Sequence, residues 1–129
     1  QMAEDGSFPD ELARTKPYSY SLFNLEGYAV LAEFASVPTD NLWTYDSPNG
    51  SLKQAWDFML PAVKDKSQWT YPPDVQHFSE LPIQSPGMLF AARAYQDEDM
   101  VRVWSALDPV RKSEEINRTY PIREPVLWQ

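Results

Sequence analysis

Apolar residues recur at helical spacing along most of the chain. From about Ser19 to Ser36, Leu22, Leu25, Ala29 and Ala32 form one stripe, with Tyr28, Leu31 and Ala35 beside it. Phe23 and Phe34 widen that surface, which predicts a helix buried on more than one side. Gly27 falls mid-helix, costs roughly 1 kcal/mol there, and implies close packing against a neighbour. Val37-Pro38-Thr39-Asp40 ends the pattern. A second helical face, Leu52, Ala55, Trp56, Met59 and Leu60, follows the capping-box pair Ser51 and Gln54. Pro61 is expected to kink or end that helix. Ser85 as cap and Pro86 at the first position open a third helix, faced by Met88, Leu89, Ala92 and Tyr95. After a short acidic break at Gln96 to Asp99, Met100 to Leu107 adds Val101, Val103 and Trp104. The rest is a charged tail. No stretch sustains a period-two alternation, so the pattern predicts an all-α fold of antiparallel helix pairs joined by sizeable loops.

Two of those loops carry aromatics. Asn41 to Ser51 holds Leu42, Trp43 and Tyr45 and the turn signal Ser47-Pro48-Asn49-Gly50. Lys64 to Pro73 is polar but holds Trp69 and Tyr71, and Pro72-Pro73 stiffens it. The densest chemistry lies earlier, where a short helix opened by Pro9-Asp10-Glu11-Leu12 must stop before Pro17. Proline removes a backbone donor and pushes Lys16 away from helical angles. A helix ending near Thr15 and another starting near Ser19 would aim Arg14 and Tyr20 into one gap. On an unbroken helix they would face different ways.

Composition narrows the chemistry. The chain has 129 residues, enough for one domain with a real core. Its net charge of −8 argues against nucleic acid as a partner. It has no cysteine, so no thiol nucleophile and no cysteine-based metal site. One histidine, His77, cannot make a multi-histidine zinc centre. No cofactor and no metal are expected, and no apolar run approaches membrane-spanning length. A phenol ordinarily ionises near pH 10, and cations or a helix N-terminus beside it favour the phenolate. Arg14, Lys16 and the start of the long helix supply both for Tyr18 and Tyr20. Arg14 can also grip a carboxylate through two parallel hydrogen bonds, or pair with Asp10 or Glu11 on its own helix.

The stretch from Asp5 to Leu25, with Glu11-Leu12, Arg14, Tyr20 and Phe23-Asn24-Leu25, resembles a conserved block of the alginate lyase family. Leu42-Trp43-Thr44-Tyr45 with Ser47-Pro48-Asn49-Gly50-Ser51 is similar to the family's aromatic and Pro-Asp-Gly loop. Ala55 to Pro61 and Trp69-Thr70-Tyr71 are similar to the helix and loop that follow, so the resemblance spans about residues 5–75 in order. It implies an (α/α) toroid of helix pairs around a groove and β-elimination on a polymer of uronic acids, an anionic polysaccharide. By motif, Tyr20 would be the general acid and also a candidate base. Arg14 would stabilise the substrate carboxylate or hold the tyrosine ionised. Tyr18, Lys16, Trp69 and Tyr71 would bind substrate, the last two by sugar stacking.

Ser19 stands where many members have histidine, a difference that bears on which uronic acid is taken. The family's Asn-His block, which supplies a carboxylate neutraliser and a base, has no counterpart here. The resemblance therefore implies that residues 1–129 are the C-terminal part of a toroid, completed by N-terminal helices or by a second chain. Such a half would leave apolar helix sides open. A bacterial periplasmic or secreted location goes with that reading. Two other functions fit the residues: a carbohydrate-binding or interaction module without chemistry, and a toroid glycoside hydrolase acting on unsaturated uronides, which would need paired carboxylates in the groove.

Overall fold

A computed structural model describes residues 2–128. Its helices are α1 (Pro9–Leu12), α2 (Pro17–Ala35), α3 (Leu52–Lys64), α4 (Pro86–Ala94), α5 (Glu98–Ala106) and α6 (Glu114–Thr119). Short 3₁₀ turns lie at Lys66–Gln68, Phe78–Glu80 and Pro125–Trp128. Among the described residues there is no strand, and the fold is all-α. The chain packs around α2, which touches α1, α3 and α4, while α5 folds back on α4.

Helix α2 starts two residues earlier than the apolar pattern implies. Proline at a first helical position has its φ already set and gives up a donor that would be unpaired anyway. The next two orphan amides, those of Tyr18 and Ser19, donate to the two carboxylate oxygens of Asp74, both at 2.9 Å. The stripe Leu22, Leu25, Ala29 and Ala32 is buried as expected. The opposite side is not: Phe23, Leu31 and Phe34 are each more than half exposed. The expectation that α2 is covered on more than one side therefore fails for this chain. Gly27 lies on that open side, and a Cβ there would meet nothing within 4 Å. The close approach occurs at Gly87 instead. A Cβ on Gly87 would come 2.6 Å from Glu26 Oε2 and 3.0 Å from the Ala29 Cβ, so only glycine lets α4 sit this close to α2.

Helix α3 begins with the expected capping box: Ser51 Oγ accepts from the Gln54 amide, and Gln54 Oε1 accepts from the Ser51 amide. Pro61 does not end it, and the helix runs on to Lys64. The donor that proline lacks would have bonded the Asp57 carbonyl, and both residues lie on the exposed side, where water can serve that carbonyl. The acidic break is a helix start. Asp97 accepts from the Met100 amide at 2.9 Å, and Glu98 and Asp99 occupy the first turn, where their charge suits the helix dipole. The tail also holds a helix the pattern does not announce. Ser113 caps α6, which inserts Ile116 into the core beside the buried Tyr120.

Candidate functional site

The site grows out of the Pro17 break. With α1 ended at Leu12 and α2 begun at Pro17, the Arg14 guanidinium carbon sits 3.7 Å from the centre of the Tyr20 ring. This is a stacking contact on the ring face and contributes about 0.5–1 kcal/mol at an exposed position. Arg14 Nη1 also donates to Glu11 Oε2 at 2.8 Å. Arg14 is exposed and Tyr20 half-buried. The result is a cation and a phenol side by side at the surface, held by a backbone bend.

The four residues expected to bind substrate have different environments. Lys16 is buried, and its ammonium donates to Glu115 Oε1 at 2.5 Å. Tyr18 is fully buried, with its hydroxyl donating to the Ala62 carbonyl at 3.1 Å and Trp69 and Phe78 edge-on to its ring. Burial, with Asp74 nearby, pushes its phenol pKa well up, so Tyr18 is a neutral core residue of the site's base. Trp69 is partly buried, and its indole N–H donates to the Pro72 carbonyl. Tyr71 leans on Trp69 with ring centres 5.1 Å apart and reaches the surface. The loop carrying these aromatics is tied to the bend, because the Val75 amide donates to the Thr15 carbonyl at 3.1 Å.

Asp74 fixes this arrangement and carries no local sequence signal. It lies 55 and 56 residues from its two amide partners, and nothing in Pro72-Pro73-Asp74 announces a helix cap. Burial raises its pKa, against the two amides, Lys16 and Lys66, which favour the carboxylate. Lys66 in turn donates to the Phe78 carbonyl, and burial lowers its own pKa. Asp74→Ala would leave two amides at the α2 start without acceptors and is expected to cost about 2 kcal/mol. Urea unfolding measures that loss, and an unchanged midpoint would remove Asp74 from the account of how Tyr20 is placed.

His77 is held between carboxylates. Its Nδ1 lies 2.7 Å from Glu80 Oε1 and its Nε2 3.2 Å from Glu115 Oε2, with the backbone at φ +61°. Glu115 therefore bridges His77 and Lys16. Among the described residues no group of three or more His, Cys, Asp or Glu side chains could hold a metal ion. No helix is long and apolar enough to cross a membrane.

The described residues thus define an all-helical domain with an arginine–tyrosine pair exposed at a proline-made bend. The alginate lyase family model matches residues 1–69, more than half of the chain, so the chain belongs to the alginate lyase family. The match covers the bend, α2, the loop after it, α3 and Trp69. No curated protein and no solved structure matches the chain.

Proposed function

We propose that the chain belongs to a polysaccharide lyase that cleaves an anionic, uronate-containing polymer by β-elimination. In this reading Arg14 pairs with the substrate carboxylate, and that pairing acidifies the proton on C5 of the uronate. The C5 proton goes to a base, the C5–H electrons form the C4–C5 double bond, the C4–O bond breaks, and the departing oxygen takes a proton. Tyr20 is the group that gives that proton to the leaving oxygen and, as phenolate, is able to take the one from C5. The observation that carries the reading is the contact of the Arg14 guanidinium with the Tyr20 ring, within the stretch matched by the family model. Lys16 and Tyr18 support the bend from beneath, and Trp69 and Tyr71 are the sugar-stacking candidates.

The toroid belongs to the same proposal. Helix α2 is apolar on all sides yet covered on one, with Phe23, Leu31 and Phe34 open. That pattern suits an inner helix whose open side borders a groove, with further helices, from an N-terminal half or from a second chain, forming the opposite wall. A periplasmic or secreted location follows from an extracellular polymer as substrate. A carbohydrate-binding role without chemistry is the second reading. It is favoured by the engagement of the chain's one histidine with Glu80 and Glu115.

The test is elimination activity of the full-length gene product on alginates and glucuronan, followed by ultraviolet absorbance of the new C4–C5 double bond. Arg14→Ala is expected to lower kcat/KM by about 10–100-fold, the loss of a charge-assisted hydrogen bond to the carboxylate. A folded gene product that gives no unsaturated product on any uronan would overturn the lyase and leave the binding module.

A further inference from the structure

A second concave site lies between the C-terminal half of α2 and the loop joining α2 to α3. It is a cavity of about 470 Å³. Leu31 and Leu42 give it apolar walls, Tyr28 and Tyr45 face it, and Ser47 and Asn49 line its polar side. The polar side is built by a fixed turn. Ser47 Oγ donates to the Gly50 carbonyl at 2.9 Å and accepts from the Asn49 amide at 3.2 Å. Gly50 has φ +98°, and a Cβ there would come 2.8 Å from the Ala3 carbonyl oxygen, so the turn needs glycine. Tyr28 is held as firmly, since its ring lies parallel to the buried Phe8 ring at 6.1 Å. Tyr28 is 44 % exposed and Tyr45 65 % exposed, so both are open to a ligand.

One aromatic face set against Phe8, a second exposed tyrosine, a polar rim with an amide, and apolar walls match the two-sided character of a pyranose, which has C–H faces and a hydroxyl edge. None of the lining residues is charged. A uronate ring placed here would bring a carboxylate against a chain of net charge −8 with no cation to receive it. The site therefore suits an uncharged ring. Its position relates it to Tyr20. Leu31 is eleven residues further along α2, about 16 Å on and about 20° round the axis, on the same side of the helix and several sugar units away.

We propose that the Tyr28–Tyr45 cavity is a subsite for a neutral pyranose, and that the polymer taken by this protein carries neutral residues among its uronates. The statement about the polymer rests on the lyase reading above, whereas neutral-sugar binding in the cavity does not. The test uses the full-length gene product carrying Tyr20→Phe, so that ligands survive. It is titrated calorimetrically with a neutral 1,4-linked glucose tetrasaccharide, a mixed glucose–glucuronate tetrasaccharide and a glucuronate tetrasaccharide. Neutral and mixed ligands are expected to bind, and Tyr45→Ala to weaken both at least tenfold while leaving the glucuronate ligand unaffected. Tyr45 is exposed and in a loop, so this variant folds, and Tyr28→Phe should retain most of the binding.

Absence of neutral and mixed binding, or binding indifferent to Tyr45→Ala, overturns the subsite. So does a concentration-dependent dimer that Tyr45→Ala abolishes, which would make the cavity a contact between copies. Homouronate cleavage by the parent protein reports separately on the lyase. If cleavage is absent while Tyr45-dependent neutral binding persists, the elimination reading fails and the neutral-sugar site stands. If cleavage proceeds and the neutral ligands do not bind, the subsite fails alone.

Discussion

Tyr20→Phe is expected to lower the rate of elimination by roughly 10²–10⁴-fold, the usual worth of a positioned acid–base group, with little change in stability. The substitution removes one oxygen from a half-buried side chain and keeps the ring. The Arg14 guanidinium, stacked on that ring at 3.7 Å, keeps its partner, and the α2 start keeps its Asp74 cap. What disappears is the hydroxyl proposed above to exchange protons with C5 and the leaving oxygen. Initial rates of ultraviolet absorbance on the best uronan, with thermal unfolding of both proteins alongside, give the answer. Activity within a few-fold of the parent, at an unchanged midpoint, would mean the proton passes through another group and would end the assignment of Tyr20. The contrast with Arg14→Ala adds information. If Arg14 holds the substrate carboxylate in both ground and transition states, that variant raises KM more than it lowers kcat, whereas Tyr20→Phe acts on kcat.

How much of this could be read in advance depended on distance along the chain. The bend was legible because Pro17 acts on its immediate neighbours, and the meeting of Arg14 with Tyr20 followed from breaking one helix into two. The Ser51–Gln54 box and the Ser85–Pro86 start were legible for the same reason, since caps are local chemistry. Asp74 was not, because its partners lie more than fifty residues away and a proline-rich loop gives no sign of them. Glu115 was not, because α6 offers only Ile116 as an apolar signal in six residues, too little to show a period. Gly27 and Gly87 teach a related lesson. Both interrupt apolar helices, but only the neighbouring helix decides which one is needed, and periodicity does not contain the neighbour.

Tyr18 shows where residue type misleads. As a tyrosine between Lys16 and Tyr20 it has the same sequence credentials as Tyr20. Two residues on a helix turn it by about 200°, which sends Tyr18 into the core against Trp69 and Phe78 and leaves Tyr20 near the surface. Residue type does not separate them; the family resemblance points to Tyr20 as the acid and to Tyr18 as a substrate contact. Burial does, because a phenol whose ionised form is disfavoured by its surroundings cannot serve as a proton acceptor near neutral pH. The same reasoning moves Lys16 from substrate contact to structural ion pair, since its ammonium is already neutralised by Glu115.

The strongest pH dependence of stability is expected from Glu26. This α2 residue is buried, with Oε2 accepting from the Gly87 amide at 2.8 Å at the start of α4 and Oε1 left without a hydrogen bond. Burial pushes its pKa up to about 7 from an ordinary 4.5, against the Gly87 amide and the Arg111 charge, which both favour the carboxylate. Between about pH 4.5 and 7 the folded chain keeps a proton that the unfolded chain has lost. Stability therefore falls as pH rises through that window and is level above it, by up to about 3 kcal/mol for a shift of this size. Glu26→Gln keeps an acceptor for the Gly87 amide and removes the charge, so it should match the parent near pH 4.5 and exceed it by up to about 3 kcal/mol at pH 8. Urea unfolding of both proteins at several pH values isolates this group, because the other titrating residues, Arg111 and Tyr120 among those facing it, are common to both. A difference between the two that stays constant from pH 4.5 to 8 would show that the Glu26 carboxylate is solvated or paired in the folded chain and would refute the buried, protonated state. A difference that grows through the window would mean that the joint between α2 and α4 loosens as the medium goes from acid to neutral. The consequence reaches the site, since α2 carries Tyr20 at one end and the α4 contact along its length.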